Sequence, residues 1–267
     1  MDDRKKEKLL KKQLQKMEEK EARLNIRKEP SFLQKKIAPI RQKAEEKIPP
    51  KLMDTFEAAF EKAFLAVFQK GTDLIEKSYQ KEKVQKQYDI LNYALEKDFN
   101  KKNLRRIDQN AHRKTMLNKG ITTAEGAVLG LFGIGLPDIP LFIGVILKTL
   151  YQICLSYGFD YQAEGERVFL LSLIAAAVST GEERARLSQK ADRIGRQIDK
   201  GELSRLPPLE EEIRFASQKL SGGMVLSKAV QGFFLIGAVG GAANYRMVSK
   251  IAKTAELKYK KRYLAKQ

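Results

Sequence analysis

Residues 121–147 read ITTAEGAVLGLFGIGLPDIPLFIGVIL, an apolar stretch interrupted by glycines and by Pro137 and Pro140. Its length would suffice to span a bilayer, for which about 20 apolar residues are enough. However, Asp138 lies near its centre, and a charged side chain there costs about 3 kcal/mol on insertion scales. The stretch therefore predicts two short apolar helices joined by a bend at LPDIP. Such a hairpin is either buried in the protein or dips part-way into lipid.

Two helix starts are predicted within this stretch. The sequence TTAE at 122–125 fits a capping box, in which the first threonine hydroxyl accepts a backbone N–H bond and Glu125 reaches back to the cap. Asp138 can cap a helix beginning at Ile139, and Pro140 is tolerated in its first turn. Helix capping is therefore the leading interpretation of both carboxylates.

The remainder of the chain also has the apolar spacing of helices. Residues 3–28 predict a polar helix with a narrow apolar seam, and the prolines of residues 30–50 indicate a linker. Aromatic residues on one face of 52–68 belong either to the core or to a lipid-binding face. A helix starting at Pro208 is expected to end before Ser221-Gly222-Gly223. No stretch alternates apolar and polar residues, so a sheet is not predicted.

The predicted fold is all-α: a compact helical bundle with a central Gly/Pro-bent apolar hairpin and a separate basic N-terminal helix. Residues 1–50 form a basic helical extension with a proline-containing linker, and residues 51–267 form the helical domain. The N-terminal helix should make few contacts, because a narrow seam buries little area. Residues 121–157 and 224–263 are expected to form the centre of the bundle. Helices near 52–68, 84–116 and 163–179 are expected to cover it.

Small residues recur at four-residue spacing in the apolar segments. Gly126 and Gly130 form one such pair, and Gly237 and Gly241 form the other. This spacing lets two helix backbones approach closely, either inside a soluble bundle or within a bilayer. The candidates for membrane contact or close packing are Gly126, Gly130, Phe132, Pro137, Pro140, Gly237 and Gly241.

The chain is strongly basic, with 51 Lys and Arg against 33 Asp and Glu. Its expected partners are therefore anionic, such as lipid headgroups, nucleic acid or an acidic protein face. Cys154 is the single cysteine, so an internal disulfide framework is excluded and a reducing compartment is favoured. Residues 1–30 are charged throughout and contain no apolar core of a signal peptide.

The positive charge is concentrated at the two ends and in one internal run. Residues 1–50 hold 16 basic against 9 acidic residues, and residues 246–267 hold 8 against Glu256 alone. A further basic run extends over residues 101–119. An anionic membrane attracts such segments by about 1 kcal/mol per Lys or Arg held near it. For the N-terminal run, solvated faces that aid solubility are an equal alternative; for the C-terminal run, attraction is favoured.

Several motifs together resemble the EcsC family. They are TTAEGA and LPDIP, then YGFD and LSLI at 157–160 and 171–174, and a Gly/Ala-rich run that ends in NYR at 244–246. The resemblance covers roughly residues 80–265. It implies a helical protein at the bacterial cytoplasmic membrane with a link to transport or secretion, because the family is named for a protein encoded beside an ABC exporter. It implies no catalytic residues.

The residues of common catalytic sites are sparse. His112 is the single histidine and lies among cations, so a solvent-facing role is predicted. Cys154, in an apolar segment, is expected to behave as a small buried hydrophobe. One His and one Cys cannot supply a zinc site, and neither a nucleophile-elbow nor a phosphate-loop motif is present.

Carboxylates leave one catalytic alternative open. Glu125, Asp138 and Glu166 flank the apolar helices and, if they converged, could perform acid–base chemistry or bind a divalent cation. Asn244 and Arg246 follow the second small-residue pair and could approach such a carboxylate. This would be a hydrolase acting on lipid or peptide.

The leading functional hypothesis is a non-enzymatic, membrane-associated helical accessory or scaffold protein without a cofactor. Its predicted partners are an anionic membrane surface and a membrane-transporter subunit recruited by the N-terminal helix. Its predicted location is the bacterial cytoplasm, peripherally at the inner face of the membrane. Nucleic-acid binding rests on charge alone and is disfavoured. The oligomeric state is left open.

Overall fold

The computed structural model describes residues 3–25, 49–113, 138–230 and 238–267. Every regular element in these four ranges is a helix, and none of them contains a strand. The all-α prediction is therefore confirmed. The predicted first arm of the hairpin, residues 121–137, lies outside the described residues, as does most of the linker.

Ten helices are described. They are α1 (Asp3–Asn25), α2 (Pro50–Ala66), α3 (Thr72–Lys77), α4 (Lys81–Lys97), α5 (residues 101–113), α6 (Asp138–Ser156), α7 (Glu164–Val178), α8 (Gly181–Asp199), α9 (Leu209–Val230) and α10 (Ala238–Ala265). A π-helical turn, Val67–Gly71, joins α2 to α3, and a short 3-10 helix, Leu203–Arg205, lies between α8 and α9.

Helix α7 lies at the centre of the bundle and packs against α8, α9 and α10. Its sequence is apolar on all sides after the first turn, and twelve of its fifteen residues are buried. A helix without a polar face can only be accommodated by neighbours on every side. The prediction that 163–179 covers the bundle is therefore wrong. The even distribution of apolar residues around this helix indicates a central position instead.

Helix α6, the second arm of the predicted hairpin, is also a core element. Its segment Ile139–Ser156 is long and apolar enough to cross a membrane, with a mean hydropathy of 1.7, but 72% of it is buried within the protein. Ile143, Ile146 and Leu150 are fully buried. Because neighbouring helices already cover most of this surface, α6 does not need lipid to bury its apolar side chains.

The aromatic face of α2 packs into the core. Phe60 and Phe64 have no exposed surface, and the Phe60 ring meets the edge of Phe142 on α6 at a centroid distance of 6.4 Å. Burying such a side chain stabilises the fold by about 2–3 kcal/mol. Of the two interpretations offered for this face, the core interpretation is confirmed.

Helix α9 continues to Val230, past the predicted stop at Gly222 and Gly223. A β-carbon at Gly222 would lie 3.6 Å from Met53 of α2, and one at Gly223 would lie 3.6 Å from Met247 of α10. Side chains of neighbouring helices thus come into contact range of this backbone. Gly222 and Gly223 permit that close approach inside the helix, so the prediction that they end it is wrong.

Helix α1 packs against α8 and α10. Its seam residue Met17 is only 2% exposed, and Glu21 is 9% exposed. The prediction of an N-terminal helix with few contacts is wrong, because the seam carries polar anchors as well as apolar ones. The carboxylate of Glu21 reaches Lys258 of α10 and the hydroxyl of Ser188 on α8.

Candidate functional site: a buried ion-pair cluster beside a basic cleft

The C-terminal half of α10 carries the run KYKKR, Lys258–Arg262. Successive side chains on a helix are rotated by about 100°, so this run contacts several neighbours at once. Lys258 and Lys261 reach carboxylates of α1 and α8, and Lys260 reaches α5. Arg262 reaches α7 and the end of α8. Four cations of one helix therefore hold four other helices.

Arg262 binds two carboxylates simultaneously. Its Nη1 and Nη2 donate to Glu166 at 2.9 and 2.6 Å, while Nε and Nη2 donate to Asp199 at 2.9 and 2.8 Å. The planar guanidinium matches both carboxylates in paired geometry. Burial alone would raise the pKa of Asp199, but the hydrogen bonds and charge of Arg262 lower it. The same bonds raise the pKa of Arg262 above its ordinary value despite burial.

Aromatic rings enclose the Arg262 guanidinium. Its central carbon lies 4.3 Å from the centroid of Phe159 and 4.5 Å from that of Phe169. Tyr259 adds a third ring at 5.7 Å and donates its hydroxyl to Glu166 at 2.9 Å. These rings exclude water from the ion pairs, which strengthens the electrostatic attraction.

A second group of ion pairs lies beside the first. The Lys258 ammonium is 1% exposed and contacts Glu21 at 2.6 Å, Asp192 at 2.7 Å and the carbonyl of Ser188 at 2.9 Å. All three of its donor hydrogens can therefore be used. Lys261 contacts the same two carboxylates at 3.1 and 3.0 Å. Two cations thus balance two carboxylates, and α1 is fastened to α8 and α10.

The Glu21 contacts predict a specific loss of stability in acid. Burial would raise the pKa of Glu21, but the charge and hydrogen bonds of Lys258 and Ser188 bring it from 4.5 to about 2. A lowered pKa stabilises the folded state above about pH 4.5, and this stabilisation is lost as the pH falls toward 2. It amounts to about 3 kcal/mol at neutral pH.

Urea unfolding between about pH 5 and pH 2 measures this contribution. Wild type should lose about 3 kcal/mol more than Glu21→Gln over this interval, because glutamine does not titrate. Glu18→Gln is the matched control, since Glu18 is exposed on the same helix and should leave the wild-type profile unchanged. Parallel profiles for wild type and Glu21→Gln would contradict the assignment.

Cys154 lies fully buried beside this cluster. Burial and the charge of Glu166 raise the pKa of the Cys154 thiol well above its usual range. The thiolate that a nucleophile requires is therefore scarce at neutral pH. The expectation that Cys154 is a small buried hydrophobe agrees with this environment.

A separate polar cluster connects α3, the start of α4 and α6. The Tyr161 hydroxyl donates to Glu76 at 2.6 Å, and the Tyr161 ring stacks on Tyr151 at 3.9 Å. Lys81 also binds Glu76, at 3.0 Å. Although burial opposes it, these hydrogen bonds lower the pKa of Glu76. Glu76 already accepts several donors, so this cluster joins elements rather than presenting a free base.

An open cleft of about 750 Å³ lies between α1, α5 and α10. Each helix contributes residues at helical spacing, and the lining consists of Met17, Lys20, Arg23, Leu24, Asp108, His112, Tyr157, Lys253, Glu256, Leu257 and Lys260. Lys260 pairs with Asp108 at 2.6 Å, and His112 faces Glu256 at 3.4 Å. The cleft thus combines apolar and cationic side chains, and its charged groups contain more cations than carboxylates.

The sequence suggests that Asn244 and Arg246 could approach one of the carboxylates Glu125, Asp138 and Glu166, but the structure pairs Glu166 with Arg262. Arg246 is exposed near the N-terminal end of α10, and Asn244 is half-buried there. The observed partner, Arg262, lies sixteen residues farther along the helix, a distance of about 24 Å. Arg246 therefore does not serve Glu166. Because Arg262 and Tyr259 occupy both oxygens of Glu166, this carboxylate is not available as a general base.

Most other predicted site residues lie outside the described part of the chain. Asp138 is the first described residue of α6, and its side chain lies outside the described part, as does the predicted cap. Pro140, two residues later, is exposed. Gly241 lies within α10. The residues outside the described ranges are Glu125, Gly126, Gly130, Phe132, Pro137 and Gly237. A carboxylate hydrolase would therefore have to depend on Glu125 and Asp138.

At least five of the eight cations in residues 246–267 form internal ion pairs: Lys258, Lys260, Lys261, Arg262 and Lys266. This run was predicted to face an anionic membrane. Its C-terminal half instead neutralises carboxylates of the bundle, whereas Arg246 and Lys253 are exposed.

Within the described ranges, no group of three His, Cys, Asp or Glu side chains is arranged to hold a metal ion.

Sequence reasoning missed the cluster although a signal was present. Asp192 and Asp199 are separated by seven residues on α8, and Lys258 and Lys261 by three on α10. Each spacing places the charges on one helix face, so an acidic face and a basic face are complementary. Periodicity does not state which helices are neighbours, however, and the pairing was therefore not predicted.

Comparisons with known proteins agree with the motifs quoted above. The sequence model of the EcsC protein family matches residues 11–264, which includes most of α1 and thus extends beyond the resemblance over 80–265. Protein EcsC of Bacillus subtilis (strain 168) is 28% identical over 147 residues, covering 54% of this chain and 58% of that relative. This chain thus matches somewhat more than half the length of the curated relative. No solved structure matches it. With the family model covering almost the whole chain, this protein belongs to the EcsC family.

Proposed function

We propose that this protein is a non-catalytic helical accessory protein that associates peripherally with the anionic cytoplasmic face of a bacterial membrane and acts there in transport or secretion. A membrane-transporter subunit is its proposed protein partner. Family membership supports the transport setting, because the family takes its name from a protein encoded beside an ABC exporter. The membrane contact is argued from the surface of the molecule.

The observation that carries the proposal is the exposed face of α5. Lys101, Lys102, Arg105, Arg106 and Arg113 are all exposed, whereas the one carboxylate of the helix, Asp108, is paired with Lys260. The opposite side of α5 is anchored in the core by Leu104, Ile107 and Ala111. Five cations therefore project from one helix, and the single carboxylate of that helix is paired.

Such a face is suited to anionic headgroups. Five cations near an anionic leaflet would contribute about 5 kcal/mol in total, which falls as salt screens the interaction. Helix α6 is mostly buried, so this attachment does not require α6 to enter lipid. Binding should therefore be peripheral and should be released by high salt.

Sedimentation with vesicles tests the proposal. Full-length protein should co-sediment with vesicles containing phosphatidylglycerol but not with pure phosphatidylcholine vesicles. Arg105→Gln/Arg106→Gln should bind about thirtyfold more weakly, from about 1 kcal/mol for each lost charge. Arg193→Gln/Arg196→Gln on the exposed side of α8 removes the same charge elsewhere and should bind like wild type. If the two double variants weaken vesicle binding equally, net charge alone explains the loss and the assignment to α5 is refuted.

A further inference from the structure

We infer that the cleft between α1, α5 and α10 is a binding site for one anionic phospholipid molecule, with the phosphate on its cationic rim and the first part of an acyl chain on its apolar floor. The inference deepens the proposed function, because the membrane surface would supply the ligand. It is distinct from that proposal, however, since binding to the α5 face needs no cleft.

The cationic rim is formed by Lys20 and Arg23 of α1 and Lys253 of α10. All three side chains are exposed, and none forms an ion pair with a carboxylate of the described residues. The fourth cation, Lys260, is paired with Asp108. Three cations from two helices therefore converge on one opening, where a phosphate would be their natural counter-charge.

The environment of Lys20 supports an anionic ligand. Burial, followed by the charges of Lys260 and Lys16, lowers the pKa of the Lys20 ammonium. The charges of Asp108 and Glu256 act in the opposite direction but offset those of the two lysines only in part. An anion between α1 and α10 would relieve this repulsion, whereas a neutral ligand would not.

The floor of the cleft favours an amphiphile over a free anion. Met17, Tyr157 and Leu257 line its interior, and Leu24 at its edge is 41% exposed. Met17, Tyr157 and Leu257 are already nearly covered, so the apolar surface that inorganic phosphate would leave in water is mainly that of Leu24, and an acyl chain would cover it. The volume of about 750 Å³ falls within the range of small-molecule sites, about 300–1,000 Å³. It can therefore accept a headgroup with part of a chain.

The orientation of the helices brings the cleft to the proposed membrane surface. Asp108 and His112 line the cleft from α5, the helix whose exposed cations form the basic face. A protein held on anionic lipid by α5 would thus have the cleft opening beside the same headgroups. A single lipid could then occupy the cleft without crossing a polar barrier.

Titration calorimetry of the full chain with short-chain lipids below their micelle concentration tests the inference. Dihexanoyl phosphatidylglycerol should bind with one-to-one stoichiometry, at least tenfold tighter than dihexanoyl phosphatidylcholine, inorganic phosphate or hexanoate. The triple variant Lys20→Gln/Arg23→Gln/Lys253→Gln should bind it at least tenfold more weakly. Arg193→Gln/Arg196→Gln/Lys200→Gln removes three exposed charges from the region of α8 and should bind like wild type.

The outcomes separate this inference from the proposed function. Inorganic phosphate binding as tightly as the lipid would overturn the lipid site, and so would an acidic peptide that displaces the lipid at equal concentration. Arg105→Gln/Arg106→Gln should weaken vesicle binding while leaving short-chain lipid binding intact. Vesicle binding without any short-chain lipid binding would remove the cleft site and leave the α5 surface standing; the converse result would remove the surface and leave the site.

Discussion

Replacing Arg262 by methionine should destabilise the protein by about 3–5 kcal/mol. The guanidinium satisfies Glu166, whose side chain is 5% exposed, and also Asp199. Methionine fills a similar volume but leaves both carboxylates without their main counter-charge, and removal of one partner from a buried ion pair costs about this amount. Urea unfolding followed by circular dichroism at neutral pH measures the change.

Lys266→Met provides the matched control. Lys266, one residue after the end of α10, also contacts Asp199, at 3.0 Å, but its side chain is 49% exposed. An exposed pair contributes about 0–1 kcal/mol, so this variant should remain close to wild type. In addition, Arg262→Met/Glu166→Gln should be less destabilised than the sum of its single substitutions, because the two residues share one interaction. Equal losses for the two methionine variants would mean that burial does not determine the strength of the pair.

The Arg262 cluster marks the boundary of what the sequence could predict. Local signals succeeded: the all-α fold and the core role of the aromatic face of 52–68 both depend on residues close in sequence. The partner of Glu166 depends on two helices separated by nearly one hundred residues. Apolar spacing identifies which face of each helix is buried, but it does not identify the helix that covers it.

Two predictions are wrong because each rests only on residues that are close in sequence. The sequence Ser221-Gly222-Gly223 predicts a helix stop, whereas in the structure Gly222 and Gly223 permit close approach of Met53 and Met247 to an uninterrupted helix. The apolar residues of the α1 seam alone predict few contacts, whereas Glu21 adds a buried ionic anchor. In both cases a neighbouring helix supplies the interaction that reverses the local preference.

The cationic residues show why composition alone gives an incomplete account of a basic protein. The C-terminal half of α10 and the face of α5 are equally basic in sequence, but the first is neutralised within the bundle and the second projects outward. Only the second can attract an anionic surface at long range. The proposed membrane contact is therefore assigned to α5 and the adjoining cleft, rather than to the more conspicuous KYKKR run.

Gly158→Ala should destabilise the protein by about 2–5 kcal/mol. Gly158 has φ +77° in the turn after α6, and its backbone conformation costs a non-glycine residue about 1–2 kcal/mol. A β-carbon at this position would also overlap the aromatic ring of Tyr88 on α4. Displacing that ring adds about 1–3 kcal/mol as an overpacking cost. The shift in the urea unfolding midpoint measures the sum.

Gly201→Ala separates the two contributions. Gly201 also follows a helix and has φ +74°, but a β-carbon there would meet no atom within 4 Å. This variant should therefore lose only the conformational part, about 1–2 kcal/mol. In a Tyr88→Ala background, Gly158→Ala should lose no more than Gly201→Ala, because the overlapping ring is gone. If the cost of Gly158→Ala stays undiminished in that background, the Tyr88 contact does not explain it, and the requirement for glycine at this turn lies in the backbone alone.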